Sequence, residues 1–391
     1  MNIINFIFFL FAVYLGIHVT YYLLLIAVHF LSNEKKEFEA APKNRFAIVI
    51  PAHNEELFLA RLLQSVSKQD YPGELFETIV VADNCTDKTA EAGLAHGAQV
   101  LERFDEKELG KGYAIKWALE NIQINSFDAV FIIDADSIIK GDLLKELDKE
   151  FKKGKSIIQC YNGVANPEAS WFTRLLDVSR TIGNEIYHPS KQKLGLSSYL
   201  MGNGMCFSTK ILSKYDWQAF TVGEDWEYYV KLIMRGETIG FAKKARVFHQ
   251  ESVSLKQATS QRMRWSSGRF AIAWNYGLKL FLNGVLEGNL KKVDASLPLI
   301  LPNPSLGINL TICMLILSFA LNSMTAARVF LFLSLGQILI FSAGVLYTKN
   351  KAGKMMSLFI APLFLIWKMG IDLLSFAGFG RKKWVSTKRT L

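Results

Sequence analysis

Two aspartates separated by one alanine end an apolar run in the middle of the chain. The segment "FDAVFIIDADSIIKGD" covers residues 127–142, and the pair is Asp134 and Asp136. Like charges repel, and removing carboxylates from water is costly. A divalent cation shared with a phosphate would offset both effects, and Mg²⁺ and Mn²⁺ prefer such oxygen ligands. Residues two apart in an extended backbone point the same way, so we expect both carboxylates to face one cleft.

Two further motifs place reactive side chains at the start or on one face of a helix. In "TVGEDWEYYVKLIMRG", Glu224 and Asp225 begin an amphipathic helix, where acids also complement the helix dipole. In "SQRMRWSSGR", Gln261, Arg264 and Trp265 have the spacing i, i+3, i+4 of one helix face. An arginine fork suits a diphosphate, and an indole ring offers a plane for stacking on a sugar. An interfacial helix with an incidental tryptophan is the alternative.

The elements that position these motifs alternate between strands and helices over residues 46–136. Buried strands are predicted at "RFAIVIP", "FETIVVAD", "AQVLER" and "AVFIID", with helical patterns between them. This alternation predicts an α/β fold with a mainly parallel sheet covered on both faces. Ligands of such sheets bind beyond the carboxyl ends of the strands. Three of these ends carry polar residues: "PAHNEE", "ADNCTDKT" and "DADS".

The sequence resembles the family-2 glycosyltransferases, inverting nucleotide-sugar enzymes that include cellulose, chitin and hyaluronan synthases. The resemblance covers about residues 44–270 and rests on ordered motifs: "VIPAHNEE", "VVADNCTDKT", "GKGYAI", "DADS", "GNGMCFS", "GEDWEY" and "QRMRW". It implies a nucleotide-diphospho-sugar transferase domain of the GT-A type. It also implies a UDP-sugar donor and Mg²⁺ or Mn²⁺ as cofactor.

On the donor side, the resemblance assigns residues by position in these motifs. Glu55 and Asp83 would bind uridine, and Lys111 would approach the nucleotide phosphates. Asp134 and Asp136 would hold the metal, with Asp134 also on the donor, and Arg264 would bind the diphosphate. A helix-start acid at Glu55, a turn or cap residue at Asp83 and a solvated lysine at Lys111 are the alternatives.

On the acceptor side, the resemblance makes Asp225 the catalytic base. It would take the proton of the acceptor hydroxyl as that oxygen attacks the anomeric carbon. Glu224 is a neighbour of undefined role. Gln261 and Trp265 would contact the acceptor.

The segment "MGNGMCFS" adds Gly204 to the acceptor residues, with Asn203 and Cys206 as further candidates. Its glycines suit close approach of the backbone to a ligand. A plain turn before a strand is the alternative. His249, in "VFHQES", receives no role.

The N-terminal region predicts a membrane anchor. Residues 1–33 contain no Asp, Glu, Lys or Arg, and the apolar run exceeds the ~20 residues that cross a bilayer. A cleaved signal peptide would have a basic start, a shorter apolar run and a small-residue cleavage site.

The C-terminal third contains further apolar stretches. Residues 295–327 and 329–348 lack charge, with Arg328 between them, whereas the next stretch carries Lys368 and Asp372. Charges at mid-bilayer are costly, so we expect this last piece to lie in the interface or to re-enter. The predicted segments are an anchor at 1–32, a cytoplasmic glycosyltransferase domain at 33–265, interfacial helices at 266–295, two transmembrane helices at 296–348, and an interfacial or re-entrant helix with a basic tail at 349–391.

Basic clusters follow the first and third predicted spans and fill the tail. The positive-inside rule puts them in the cytoplasm, so we predict an integral protein of the plasma membrane with three spans and a cytoplasmic catalytic domain. In the tail, "WVSTKR" loosely resembles the gating loop of cellulose synthase, which would implicate Trp384, Thr387 and Arg389. A polybasic tail held by anionic lipid is the alternative.

Charge and cysteine content exclude several classes. The formal net charge of +10 is explained by contact with membrane lipids, and the basic residues show no nucleic-acid signature. The four cysteines are scattered, with no CxxC pair and no His at metal spacing, which argues against a disulfide framework or a zinc site.

The predicted function is transfer of a sugar from a UDP-sugar to a hydroxyl of a carbohydrate or lipid-linked acceptor, in surface polysaccharide synthesis. Three spans are fewer than large synthases use to build a channel, so secretion would need partner subunits. The first alternative is a single-addition enzyme acting on a lipid, since ceramide glucosyltransferase has a similar short layout. The second is a membrane scaffold without catalysis, which predicts a missing base or a broken metal pair.

Overall fold

One eight-stranded sheet forms the centre of the molecule. In this computed structural model, residues 3–31 and 41–380 are described. The strands are β1 Phe46–Ala52, β2 Phe76–Asp83, β3 Gln99–Arg103, β4 Ala129–Ile132, β5 Ser137–Ile139, β6 Ile157–Val164, β7 Met205–Ser208 and β8 Gly240–His249. Their order across the sheet is β3-β2-β1-β4-β7-β6-β8-β5.

The sheet is mixed but mainly parallel, as predicted. β3, β2, β1 and β4 are mutually parallel, and β8 is parallel to β6. β7 runs antiparallel between β4 and β6, and β5 is an antiparallel edge strand on β8. The register pairs Ala52 with Ala82, so the carboxyl ends of β1 and β2 meet at one edge. The polar residues after these strands are therefore brought together.

Helices cover both faces of the sheet and continue into an apolar bundle. The helices of the first half are α1 Ile3–Leu31, α2 Glu56–Val66, α3 Thr89–Ala95, α4 Lys111–Asn121, α5 Leu143–Lys152, α6 Trp171–Thr181, α7 His188–Lys193 and α8 Thr209–Tyr215. Those of the second half are α9 Glu224–Met234, α10 Leu255–Ile272, α11 Leu278–Leu286, α12 Leu290–Ile300, α13 Pro304–Ala320, α14 Met324–Leu346, α15 Lys351–Met356 and α16 Ala361–Phe376. Two buried apolar clusters, one on each face of the sheet, form the core of the α/β domain.

Within residues 3–31 and 41–380, two helices, α1 and α14, are long and apolar enough to cross a membrane. The pair α12 and α13 is bent by 66°, and residues 351–359 with α16 are bent by 65°; counting each bent pair as one span would give four. α1, α13 and α14 pack around a small apolar cluster that includes Phe8, Leu15 and Phe330. The predicted gating residues Trp384, Thr387 and Arg389 lie outside the described residues.

The α/β domain is attached to α1 by buried polar contacts. Lys191 of α7 is fully buried and forms an ion pair with Asp294 of α12 at 2.8 Å. The Tyr21 hydroxyl of α1 donates to the same Asp294 carboxylate at 2.6 Å. Ser190 donates to the carbonyl of Leu25, also on α1, at 2.8 Å. These bonds fix the position of α1 against α7 and α12.

Candidate active site

A cavity of about 1260 Å³ opens at the carboxyl ends of the parallel strands and extends to the apolar helices. Nine of the predicted site residues line it: Glu55, Asp83, Lys111, Asp134, Asp136, Asp225, Gln261, Arg264 and Trp265. The chain therefore brings together side chains that are far apart in sequence.

The two aspartates follow β4 in a tight turn. β4 ends at Ile132, and the Ser137 amide donates to the Asp134 carbonyl at 3.1 Å. The expectation of an extended backbone at this point is wrong, because the chain turns through Ala135. Asp134 and Asp136 nevertheless line the same cavity.

The loop that precedes β7 holds this turn in place. The Asp134 amide donates to the Asn203 side-chain oxygen at 3.1 Å. The Asn203 side-chain nitrogen donates in turn to the Ser137 hydroxyl at 2.9 Å. Asn203 is thus a positioning residue for the acidic turn.

Lys111 places a fixed positive charge among the acids. Its ammonium donates to Asp134 and to the Gly202 carbonyl and lies 3.9 Å from the Glu224 carboxylate. Burial alone lowers the pKa of Lys111, but the carboxylates of Asp134 and Glu224 outweigh it and raise that pKa above its ordinary value. The residue is partly buried and paired, so the alternative of a solvated lysine is wrong.

The second residue of α9, Asp225, faces the same loop. Its carboxylate accepts from the Trp226 amide at 2.8 Å. Gly202 has φ +77°, and a Cβ at that position would lie 3.2 Å from the Asp225 oxygen. Burial raises the pKa of Asp225 and of Glu224, although Lys111 opposes the shift in both. The site therefore keeps a carboxylate with an affinity for protons above the ordinary one, as a general base requires.

The α10 motif forms another part of the cavity wall. Gln261 is buried, whereas Trp265 keeps 37% of its surface exposed. The guanidinium groups of Arg180 and Arg262 lie 5.9 Å and 4.7 Å from the centre of the Trp265 ring. These cation–π contacts hold the indole in place.

A buried network behind α10 was missed by the sequence analysis. Glu251 binds Arg262 at 2.5 Å and His249 at 3.0 Å. The other ring nitrogen of His249 bonds the Asn162 side chain at 2.9 Å. Burial alone would raise the pKa of Glu251, but Arg262 and His249 hold it well below its usual range. No signal in the sequence links these positions, because the network is assembled only by the fold.

On the donor side, Asp83 is already paired. Its carboxylate accepts from the Arg103 guanidinium at 2.8 Å, and both side chains are almost fully buried. Burial raises the pKa of Asp83, and Arg103 opposes that shift. The ring of His53, another wall residue, bonds the Asp83 carbonyl at 2.8 Å. Glu55 precedes α2 and makes no side-chain capping bond, so its carboxylate is not used as a helix cap.

Gly204 does not reach the cavity. It is buried beneath the sheet, where a Cβ would lie 3.0 Å from Val247 and 3.1 Å from Cys160. Cys206 lies in β7 and is fully buried. Gly202, two residues earlier, is the glycine that lines the cavity. The prediction that Gly204 contributes to the cavity is not supported by this geometry, whereas Gly202 has its backbone at the cavity wall.

The acidic pair suits a metal that is shared with a substrate. Among the described residues, no group of three or more His, Cys, Asp or Glu side chains could hold a metal ion. Mg²⁺ commonly takes one or two protein carboxylates and completes its shell with water and substrate phosphates. Asp134 and Asp136 fit that arrangement, in which a diphosphate supplies the missing ligands.

A solved structure shares this fold over nearly its whole length. The mannosyltransferase PcManGT from Pyrobaculum calidifontis, in complex with GDP-Man and Mn²⁺, aligns over 93% of this chain and 98% of its own, with a TM-score of 0.56 and 19% identity. At that identity the likeness concerns the fold alone. The α/β domain has the predicted GT-A architecture.

Curated relatives match the α/β region. The beta-monoglucosyldiacylglycerol synthase of Synechocystis sp. is 23% identical over 240 residues, which are 59% of this chain and 48% of the relative. The poly(ribitol-phosphate) beta-N-acetylglucosaminyltransferase TarS of Staphylococcus aureus is 25% identical over 185 residues, which are 46% of this chain and 32% of the relative. The chain spans about half the length of the first relatives it matches. The model of the family "Glycosyltransferase like family 2" matches residues 42–268, more than half of the chain.

Proposed function

The chain belongs to the glycosyltransferase-like family 2, and on that basis we propose that it transfers a sugar from a UDP-sugar to a hydroxyl of a carbohydrate or lipid-linked acceptor, with inversion. The observation that carries the proposal is the meeting of the acidic turn, Lys111 and Asp225 in one cavity. A membrane scaffold without catalysis predicts that the base or one acid of the pair is missing. In this chain Asp225, Asp134 and Asp136 are all present.

In the proposed mechanism, Asp225 is the base. Its carboxylate removes the proton of the acceptor hydroxyl while that oxygen attacks the anomeric carbon from the face opposite the diphosphate. Lys111 and Arg264 bind the diphosphate through their positive charges. Glu55 and Asp83 bind the nucleoside at the ends of β1 and β2.

Asp134 and Asp136 would hold Mg²⁺ or Mn²⁺ together with the donor diphosphate. When bound, the ion acts as a Lewis acid that stabilises negative charge on the leaving diphosphate. Asn203 keeps the acidic turn in the required position, since it bonds both Asp134 and Ser137.

We place the catalytic domain at the cytoplasmic face of the plasma membrane, with α1 and α14 crossing the bilayer. The two apolar helices support membrane insertion, and the basic residues after the first span support the orientation. The predicted domain limits at 1–32, 33–265, 266–295, 296–348 and 349–391 remain part of this proposal.

Processive synthesis of a surface polysaccharide and single addition to a lipid are the two outcomes for the product. Processive synthesis is supported by the motif of Gln261, Arg264 and Trp265 at the cavity wall, which resembles that of processive synthases. In that case export of the polymer would use secretion partner subunits. Product chain length after incubation with a labelled UDP-sugar separates the two.

The test is a screen of UDP-sugars with the purified full-length protein, with Mg²⁺ or Mn²⁺ supplied or chelated. We expect sugar transfer and UDP release with one donor, and Asp225→Asn to lower the rate by about 10²–10⁴-fold while UDP binding is retained. Glu120→Gln, an exposed acid on α4, is the control and should leave the rate unchanged. Undiminished transfer by Asp225→Asn would remove the assigned base.

A further inference from the structure

The cavity that contains the acidic turn does not end at the α/β domain. Beyond Trp265 its wall passes Asn303 and continues along side chains of α13, α14 and α16. Most of these side chains are apolar, among them Ile308, Ile312, Ile338, Phe341, Ala361 and Phe364; the polar ones are Ser305, Ser334, Gln337 and Lys368. A sugar nucleotide is polar throughout and gains nothing from such a wall, which suits a hydrocarbon ligand.

The size of the cavity also exceeds the need of one small ligand. Its volume of about 1260 Å³ is above the roughly 300–1,000 Å³ of pockets that hold a drug-sized molecule. The polar end with Asp134 and Asp225 and the apolar end between the helices can therefore hold two ligands at once. The two ligands would meet near Trp265.

His18 of α1 is a buried residue of the cavity wall. Its ring lines the cavity and is 4% exposed, and neither ring nitrogen has a hydrogen-bond partner among residues 3–31 and 41–380. Gly307 of α13 packs directly against this ring, since a Cβ there would lie 3.0 Å from it. A buried imidazole without partners is costly, so a hydroxyl or carbonyl oxygen on the ligand would complete the site.

Side chains of α14 and α16 both line the apolar end of the cavity, and each of these helices packs against α13. On the two helices, Ile338 and Leu363 are each 54% exposed. Apolar surface of this kind on helices that can lie in a bilayer gives a hydrocarbon chain a route from the lipid phase.

We infer that the acceptor is a membrane lipid that enters between α14 and α16, with its hydroxyl-bearing head at Asp225, its polar linkage at His18 and its chains against the apolar wall. The inference rests on the proposed function for the reaction at the head, whereas the lipid site itself rests on the cavity. The acceptor is then a lipid with a free hydroxyl. Transfer to water-soluble acceptors alone would contradict the inference.

The test uses a photoreactive diacylglycerol with a diazirine in one acyl chain, in phosphatidylcholine nanodiscs that hold the full-length protein. We expect cross-links, mapped by mass spectrometry, in the cavity-lining segments of α13, α14 and α16, and competition by unlabelled diacylglycerol. A phosphatidylcholine with the same diazirine chain has no free hydroxyl and should label only the outer surface. Equal labelling of the outer surface alone by both probes would overturn the inference.

Two neighbouring residues of α14 provide matched variants. Ile338→Trp fills the mouth of the cavity and should lower internal labelling at least fivefold. Leu339→Trp adds the same volume at a 61% exposed position outside the cavity and should leave it unchanged. Ala361→Trp blocks the mouth from α16 and should also lower internal labelling, so it replaces Ile338→Trp in the test if that variant does not fold. Equal labelling in all three variants contradicts the proposed route.

His18 is tested by Phe and Gln in its place. His18→Phe should weaken labelling by the diacylglycerol probe several-fold, and His18→Gln, which keeps a hydrogen-bonding group, should restore it. Labelling needs no turnover. Internal labelling without any sugar transfer would reject the proposed function and keep the lipid site, whereas transfer to a soluble carbohydrate without internal labelling would reject the lipid site alone.

Discussion

At the scale of single residues, the charge of one lysine governs the candidate reacting centre. Lys111 bonds Asp134 and the Gly202 carbonyl and lies near Glu224. Its charge also opposes the rise that burial causes in the pKa of Glu224 and of Asp225. One fixed cation therefore acts on both the acidic turn and the start of α9.

Lys111→Met should move the acid limb of the pH–rate profile to higher pH. The base must be ionised, and loss of a nearby cation raises a carboxylate pKa by about 1–3 units. The limb should therefore shift upward by about one unit or more, together with weaker UDP binding. Lys116→Met, an exposed lysine on the same helix, is the control; an identical profile for both variants would exclude this role of Lys111.

Asp225→Asn should stabilise the protein while it removes activity. Burial raises the pKa of Asp225 in the folded state, so ionisation of this carboxyl disfavours folding as pH rises above its unfolded pKa of about 3.9. Asparagine removes that cost. We expect a higher Tm at pH 7, by about 2 °C or more, and a difference that vanishes below about pH 3, where the carboxyl is protonated in both states. A Tm for Asp225→Asn below that of wild type at pH 7 would contradict the conclusion that the ionised, buried Asp225 destabilises the fold.

At the scale of elements, the loop before β7 is the part that brings the acids together. Gly202 accepts from Lys111 and approaches Asp225, while Asn203 holds the acidic turn. The loop thus contacts the end of β4, the start of α4 and the start of α9. Its geometry sets the distance between Asp225, the proposed base, and the acidic turn.

Gly202→Ala should lower kcat by tenfold or more and leave UDP affinity nearly unchanged. The residue has φ +77°, which costs a residue with a Cβ about 1–2 kcal/mol, and the new Cβ would press on Asp225. Gly195→Ala is the matched control, because φ is +70° there and a Cβ would meet nothing within 4 Å. Steady-state kinetics and Tm separate the effects: a similar Tm loss in both variants with a kcat loss only in Gly202→Ala is expected.

Local patterns predicted the elements of the first half well. The strands before Asp83 and Asp134 and the helix after Lys111 are found where the apolar periodicity placed them. Gly204 was predicted from "MGNGMCFS", whereas Gly202 of the same segment lines the cavity, because sequence spacing does not reveal which glycine carbonyl turns toward the cavity. The Arg103–Asp83 pair was missed since the two residues meet only through the pairing of β2 and β3. Glu251 was missed since only the fold brings α10 with Arg262 back onto the end of β8.

At the scale of the whole molecule, the α/β domain and the apolar helices form one continuous body around the cavity. The Lys191–Asp294 ion pair and the Tyr21 hydrogen bond join α7, α12 and α1. The apolar runs alone predicted helices at both ends of the chain, but they could not predict that the cavity would extend between them.

Lys191→Met should destabilise the junction strongly. Removing one partner of a buried ion pair leaves the other charge buried alone, which costs about 3–5 kcal/mol. The double variant Lys191→Met with Asp294→Asn should recover part of this loss, since no unpaired charge remains. Thermal unfolding in detergent and limited proteolysis near residue 31 are the measurements; equal stability of the single variant and wild type would mean that the pair makes no contribution.

The attachment of the α/β domain to α1 has a geometric consequence. The domain is bonded to α1 at Leu25 and, by way of Asp294 of α12, at Tyr21. If α1 crosses the bilayer, the domain therefore keeps a constant height above the lipid phase. This fixed height would select acceptors by the length of their head group. A head group that is too short would not reach the reacting centre, and one that is too long would extend past it. Selection by length would then come before chemical recognition.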